Sequence, residues 1–139
     1  MSAVASRMPS DVVAVIAVGG ALGAPARYEV SQLIHVANDS FPWATFVTNL
    51  SGAFVLGLFL TFTLERLAPT RYLRPFFAIG FLGAFTTFST MAVETVSLEK
   101  DGHVALGVGY LIVSVGAGLM VTYLGIAIAR RLPRSAGGS

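Results

Sequence analysis

The chain has no cysteine, and only 12% of its 139 residues are charged. Without cysteine there is no disulfide framework and no thiolate metal site. Soluble domains carry about 25% charged residues. Half that level, with 55% apolar residues and a mean hydropathy of +0.76, excludes an ordinary soluble globule. It also excludes disorder, which needs low hydrophobicity and high charge. Histidine is scarce: His35 and His103 are the two present, and both fall between apolar runs. With no metal-ligand spacing and no Ser–His constellation, the residues do not point to an enzyme. The net charge of +2 is the difference between nine and seven residues of opposite sign, too small an excess to signal a nucleic-acid partner. A small integral membrane protein is the class that remains.

What the sequence does contain is four apolar segments of membrane-spanning length, which for a helix is about 17–25 residues. The first runs from Val12 to Ala26 and continues less cleanly through Arg27 to about Val36. The second is Trp43–Leu64, the third Tyr72–Leu98 with Glu94 as its internal charge, and the fourth Val104–Ala129. Their length and lack of alternation fit helices, which satisfy their own backbone groups in lipid, better than barrel strands. The expected architecture is all-α, with one transmembrane domain over residues 12–129. A short N-terminal segment (1–11) precedes it, and a basic, flexible tail (130–139) follows. Arg7, the apolar run and small residues near Ala24–Ala26 also loosely resemble a secretory signal; the Arg27 motif below argues against that.

Four spans put both termini on one side. That side collects Arg7, Arg66, Arg71, Arg74, Arg130, Arg131 and Arg134, against Lys100 and Arg27 on the other. Seven against two predicts cytoplasmic termini. Glycine is the other departure, with 15 residues, most of them in the apolar segments. Gly19 and Gly23 form a G-x-x-x-G, and Gly109/Gly116 and Gly118/Gly125 recur at a spacing of seven. Small residues let helix backbones approach closely in lipid. The pattern predicts dense helix contacts and is consistent with a dimer.

Polar residues are costly in lipid and face a bundle interior or a wet path. Thr45, Asn49 and Gly52 share one helical face, as do Tyr110, Ser114, Gly118 and Thr122. Both stripes supply neutral donors; they read equally as interhelical glue. The third segment reads Gly80-Phe-Leu-Gly83 and then Thr86-Thr-Phe-Ser-Thr90. Its hydroxyls compete with the helical ladder, which predicts a break near mid-membrane that frees carbonyls for a cation. An intact helix with back-bonded hydroxyls is the alternative. Phe88 and Met91 share a face of this segment, and the electropositive ring edge of Phe88 can meet an anion. Glu94, an isolated intramembrane acid, is a functional-site candidate or else an interfacial acid that snorkels. Arg27 is a vestibule charge or an interfacial anchor.

These residues resemble the Fluc (CrcB) family of fluoride ion channels. The resemblance rests on Gly-Gly-Ala-Leu-Gly-Ala-Pro-Ala-Arg-Tyr at 19–28, Thr45-Phe-Val-Thr-Asn49-Leu-Ser-Gly52, and the Gly80–Thr90 run. It covers Gly19 to about Gly125. The resemblance implies an antiparallel dimer with two pores, each lined by both subunits. It makes Asn49 a fluoride donor and turns the ring edge of Phe88 to the ion. It places Thr45, Tyr110, Ser114, Met91 and Glu94 along the pathway and Arg27 in the vestibule. Gly83 and Thr86 would offer backbone carbonyls to a structural sodium ion on the dimer axis. Ala44 replaces a usual glycine, Met91 a common second pore phenylalanine, and Gly118 a frequent hydroxyl residue.

The expected function is passive export of fluoride across the inner (cytoplasmic) membrane, relieving its toxicity. A dry pore for this strongly hydrated ion needs neutral donors and binding that is favourable yet escapable. The lopsided arginine count leaves a dual-topology homodimer and a heterodimer of oppositely oriented chains both open. The other readings are a small four-helix, proton-coupled drug transporter using Glu94, and a non-transporting membrane subunit.

Overall fold

The computed structural model describes residues 8–37 and 40–133. Arg7, Arg134 and most of the expected tail lie outside the described residues. Helix α1 spans Ser10–Leu33 and α2 spans Trp43–Arg66. A wide π-helical segment, Pro75–Leu82, runs directly into the short α3, Gly83–Phe85. Helix α4 covers Phe88–Lys100 and α5 covers Val104–Arg131. Four helical runs, Ser10–Leu33, Trp43–Arg66, Pro75–Lys100 and Val104–Arg131, are long and apolar enough to cross a membrane. The chain is therefore an all-helical, multi-pass membrane protein.

Local chemistry accounts for the boundaries. Pro42 precedes α2, and the chain beyond Arg66 leaves the helix ahead of Pro69; Pro133 likewise follows α5. Proline cannot continue a helix, and it biases the residue before it away from helical angles. Gly102 adopts φ +88° after α4. His103 N donates to Leu98 O at 2.8 Å and Gly102 N to Glu99 O at 3.1 Å, the paired bonds of a Schellman cap that needs a left-handed residue. Pro25 sits inside α1 without ending it.

The helices pair by backbone contact rather than by side-chain volume. α1 lies along the Pro75–Leu82 segment and α2 along α5. A Cβ at Gly23 would run into Phe81 O, and one at Gly125 into Phe54 O. The Gly19/Gly23 spacing thus does what such motifs do in lipid, admitting a neighbouring backbone. The seven-residue repeats in α5 behave differently. Gly125 is packed, whereas Gly109, Gly116 and Gly118 face open space among the described residues.

The third span changes partner partway. Its first half, Pro75–Phe85, packs on α1, and its second half, α4, packs on α5. Between them Thr86 (φ −79°, ψ 155°) and Thr87 (φ −148°, ψ 111°) are extended.

The end of the bundle that carries both described chain ends is rich in arginine, and most of these side chains have definite tasks. Arg66 Nη2 donates to Ala129 O and Arg130 O, and Arg74 Nη2 to Thr63 O. These are carbonyls in the last turn of a helix, which lack intrahelical partners and carry the negative end of the dipole. Arg71 pairs with Asp11 at 2.6 Å, and Tyr72 Oη donates to the same carboxylate at 2.7 Å. That bond raises the pKa of the Tyr72 phenol. Arg130 pairs with Glu65 at 3.0 Å.

Candidate functional site

The site is built around Thr86 and Thr87. Gly52 of α2 lies against this stretch, where a Cβ would overlap the Thr86 methyl group. The close approach brings Asn49, one turn earlier on the same face, onto the Thr87 peptide. Asn49 Nδ2 donates to Thr87 O at 3.0 Å, and Thr87 N donates to Asn49 Oδ1 at 2.7 Å. The Asn49 amide therefore stands in for helical bonding across the non-helical residues. A primary amide has a second N–H, and Asn49 also lines the adjoining groove.

Thr87 caps α4. Its Oγ1 accepts from Thr90 N at 3.1 Å and donates to Thr90 Oγ1 at 2.9 Å, an N-cap arrangement that satisfies an orphan helix donor. These two diversions have a consequence for the carbonyls. In a continuous helix Thr87 N would serve Gly83 O and Thr90 N would serve Thr86 O. Both amides are turned to side-chain oxygens, so Gly83 O and Thr86 O lose their i+4 donors. Thr86 N and Thr86 Oγ1 both donate to Leu82 O at 3.0 Å, which closes the last turn before the extended residues.

A groove of about 360 Å³ opens beside this stretch, lined by Asn49, Gly83, Thr86, Phe88, Met91 and Ser114 among others. Phe88 is 71% exposed, a large ring held out from the chain at the groove's edge. Met91 is the opposite, only 4% exposed and packed into the core. Ser114 is buried, and its Oγ has no hydrogen-bond partner among the described residues. An unserved buried hydroxyl costs roughly 1–3 kcal/mol, so this atom is a ready donor for something entering the groove.

A second cluster lies one turn along α2. Thr45 Oγ1 donates to Glu94 Oε1 at 2.7 Å, and Tyr110 Oη donates to Glu94 Oε2 at 2.8 Å. One carboxylate thus joins α2, α4 and α5, with one hydroxyl on each oxygen. Glu94 also lines a cleft of about 480 Å³ of mixed character, with Ser31, Ser40, Ser97 and Asp101 among apolar residues. Its carboxylate therefore sits between three helices, with that cleft beside it. Arg27 lines a smaller cleft of about 230 Å³ shared with Thr45, Thr48, Thr87 and Thr90. Among the described residues no group of three His, Cys, Asp or Glu could hold a metal; the cation-binding chemistry available near Thr86 is that of carbonyl oxygen.

The structure thus gathers Asn49, Gly83, Thr86, Phe88, Met91 and Ser114 about one groove and Thr45, Glu94 and Tyr110 about one carboxylate. Arg27 lines a third cleft that it shares with Thr45 of the carboxylate cluster and with Thr87. Thr87 was missed as an individual site residue, although it touches Asn49, Ser89 and Thr90. A hydroxyl residue directly before an α-helix is a cap signal, and the T-T-F-S-T run carries it. Thr122 belongs to the stripe of α5, and its hydroxyl donates to Gly118 O of its own helix at 2.8 Å and, more weakly, to Ala53 O of α2 at 3.4 Å.

A family model described as CrcB-like protein, Camphor Resistance (CrcB), matches residues 14–126. Relatives similar to the chain carry the name fluoride-specific ion channel. FluC 3 of Streptomyces avermitilis is 48% identical over 125 residues, 90% of this chain and 61% of the relative. FluC 1 of Mycolicibacterium paratuberculosis is 44% identical over 119 residues, 86% of this chain and 90% of the relative. FluC of Magnetococcus marinus is 39% identical, covering 85% and 97% of the two chains. The chain accordingly spans about three fifths of the Streptomyces protein and nearly all of the other two.

Proposed function

The chain belongs to the CrcB-like family, and from that premise we propose that it is a fluoride-selective ion channel, not an enzyme. It carries the ion passively out across the inner (cytoplasmic) membrane and so lowers fluoride toxicity. The observation that carries this reading is the family match across residues 14–126 together with relatives named as fluoride channels. The donor set agrees with it. Fluoride gives up its water only to strong, closely placed donors, and a permeable site must also release it. The Asn49 amide and the unpartnered Ser114 hydroxyl on one groove are such donors, and they carry no fixed charge.

The finer assembly is part of the same proposal. Two chains pack in opposite orientations, and the exposed ring of Phe88 turns its electropositive edge toward the ion. Gly109, Gly116 and Gly118, open within one chain, give the second chain room to approach. The third span works as two half-helices. The extended backbone at Thr86 and Thr87 supports that reading, and a sodium ion held by Gly83 O and Thr86 O completes it. The two carbonyls whose amides are diverted suit a hard cation, which prefers oxygen ligands. A bound sodium ion would supply charge and rigidity there. The second chain is either another copy or an oppositely oriented paralogue, in keeping with the arginine bias. Met91 lines the groove itself. Thr45, Tyr110 and Glu94 line the route beyond it, with Arg27 at its vestibule and lipid around the outer faces.

The family favours a channel over a proton-coupled drug transporter. Glu94, the acid such a transporter would use, has a hydroxyl bonded to each oxygen. The test is purified protein in liposomes loaded with fluoride, with efflux read by an electrode after a potassium ionophore is added. Rapid efflux that chloride does not reproduce is expected. Efflux no faster than from empty liposomes, with assembled protein present, overturns the reading.

A further inference from the structure

Four aromatic rings form a connected cluster where the α1–α2 connector meets α5. Phe41 stands at its centre. Its ring centroid lies 4.6 Å from Trp43, 5.2 Å from Phe46 and 5.2 Å from Tyr110. The contact with Tyr110 is edge to face, at 84°, the geometry that the ring quadrupole favours.

Phe41 and Trp43 are two residues apart, yet they do different things. Trp43 is 53% exposed, as expected of an interfacial anchor. Phe41 packs between Trp43 and Tyr110, a tyrosine that is only 1% exposed. A tight turn holds it there, with Trp43 N donating to Phe41 O at 2.8 Å and the buried Pro42 between them. Pro42 O accepts the first i→i−4 bond of α2, from Phe46 N at 3.0 Å.

Tyr110 is the residue that this contact acts upon. A tyrosine in a helix has two main torsions, and its hydroxyl direction follows its ring. The Tyr110 ring has Phe41 against it, and its hydroxyl is on Glu94 Oε2 at 2.8 Å. Thr45, four residues along the chain from Phe41, serves the other oxygen at 2.7 Å. Phe41 is thus one wall of the Tyr110 ring, on the side chain that supplies one of the two hydroxyl donors to Glu94.

We propose that Phe41 is a positioning residue for the ion pathway, setting the Tyr110 ring edge to face so that the phenol hydroxyl stays on Glu94. The inference rests on the channel reading above. It adds a residue outside the pore, on the connector, whose effect on conduction passes through a single hydroxyl. An aromatic pair of this kind contributes enough for its loss to change the population of the aligned ring by about two- to tenfold.

The experiment is a double-mutant cycle on liposome efflux, with F41L, Y110F and both changes together, each checked for assembly by size-exclusion chromatography. Wild-type protein must conduct; if it does not, the channel reading fails and not this one. F41L is expected to slow efflux about two- to tenfold. In the Y110F background, where no hydroxyl is left to position, the same change is expected to alter efflux less than twofold. Phe41→Tyr and Phe41→Trp keep an aromatic edge and are expected to restore at least half of the rate. A residue that merely fills space would give the same loss with or without the Tyr110 hydroxyl. Multiplying effects, an unchanged F41L rate, or failure of both aromatic variants to restore efflux overturns the proposal. If F41L does not assemble, the cycle is run with Phe41→Met, which keeps the volume without the ring, and the same outcomes apply.

Discussion

Asn49 and Thr87 exchange two hydrogen bonds across the non-helical residues of the third span, with Nδ2 to Thr87 O at 3.0 Å and Thr87 N to Oδ1 at 2.7 Å. One side chain of α2 thereby replaces the backbone partners that a continuous helix would supply. The same amide lines the groove, so local structure and the candidate ion site depend on one residue.

Asn49→Ala removes the partners of two backbone groups of the buried Thr87, its N–H and its carbonyl. Each unpaired group costs about 1–3 kcal/mol, so a clear loss of thermal stability in detergent is expected along with loss of fluoride efflux. Asn49→Asp keeps the acceptor but loses the donor to Thr87 O. It should therefore recover part of the stability and none of the flux. A robust flux in Asn49→Ala would show that the groove is not the route.

Thr87→Val keeps the shape and removes the cap of α4. Loss of an N-cap costs about 1 kcal/mol, and Thr87→Ser should restore it. Melting temperatures of the three proteins measure the difference. Equal values would mean that the bond from Thr90 N to Thr87 Oγ1 contributes nothing.

Tyr110→Phe leaves Glu94 Oε2 without its donor, a change of roughly 1–3 kcal/mol. Slower efflux with intact assembly is expected, and Thr45→Val should act in the same direction through Oε1. Efflux electrodes and size-exclusion profiles separate the two effects. If neither variant changes the rate, the carboxylate cluster lies off the pathway.

Gly125→Val drives a side chain into the backbone of α2 at Phe54 and Leu58. Overpacking of this kind costs about 1–3 kcal/mol, and poor recovery of folded protein is expected. Gly116→Val meets nothing among the described residues. It should leave the single chain folded and, if the second chain packs there, shift the protein from dimer to monomer. Light scattering in detergent reads that outcome.

Sodium bound at Gly83 O and Thr86 O would stabilise the assembled protein by mass action, by about 2.7 kcal/mol at a concentration one hundred times its dissociation constant. The melting temperature should then rise with sodium and not with N-methylglucamine at equal ionic strength. No difference between the two cations would remove sodium from the assembly.

Much of the fold was legible because lipid imposes a simple rule. Apolar runs beginning near Val12, Trp43, Tyr72 and Val104 marked the spans, and the helices observed, Ser10–Leu33, Trp43–Arg66, Pro75–Lys100 and Val104–Arg131, differ from those runs by a few residues at their ends. The T-T-F-S-T run prompts the expectation of a break, since hydroxyls that bond local backbone weaken a helix; two half-helices remain part of the proposal. Thr86 and Thr87 are extended there. The π-helical winding at Pro75–Leu82 had no such signal, because the segment is apolar on every side and no polar stripe records its period.

Spacing was silent about meetings between helices. Thr45 and Glu94 are 49 residues apart, and Glu94 and Tyr110 are 16 apart. A face can be assigned to each residue from its own helix, but nothing in that assignment says which faces meet. The glycines show the same limit. Gly118 and Gly125 share a seven-residue spacing, yet Gly125 packs on α2 while Gly118 is open. The arginines show it too, since Arg66 and Arg74 serve helix carbonyls as well as biasing orientation.

By itself, then, the scarcity of charge and the lack of cysteine determined the class of this protein. Lipid excludes fixed charge and unsatisfied backbone, and the four spans follow from that. The tertiary structure decided where the few polar groups are used. Hydrogen bonds act over about 3 Å, and only packing brings Asn49 to Thr87, Glu94 between Thr45 and Tyr110, and Phe41 against Tyr110.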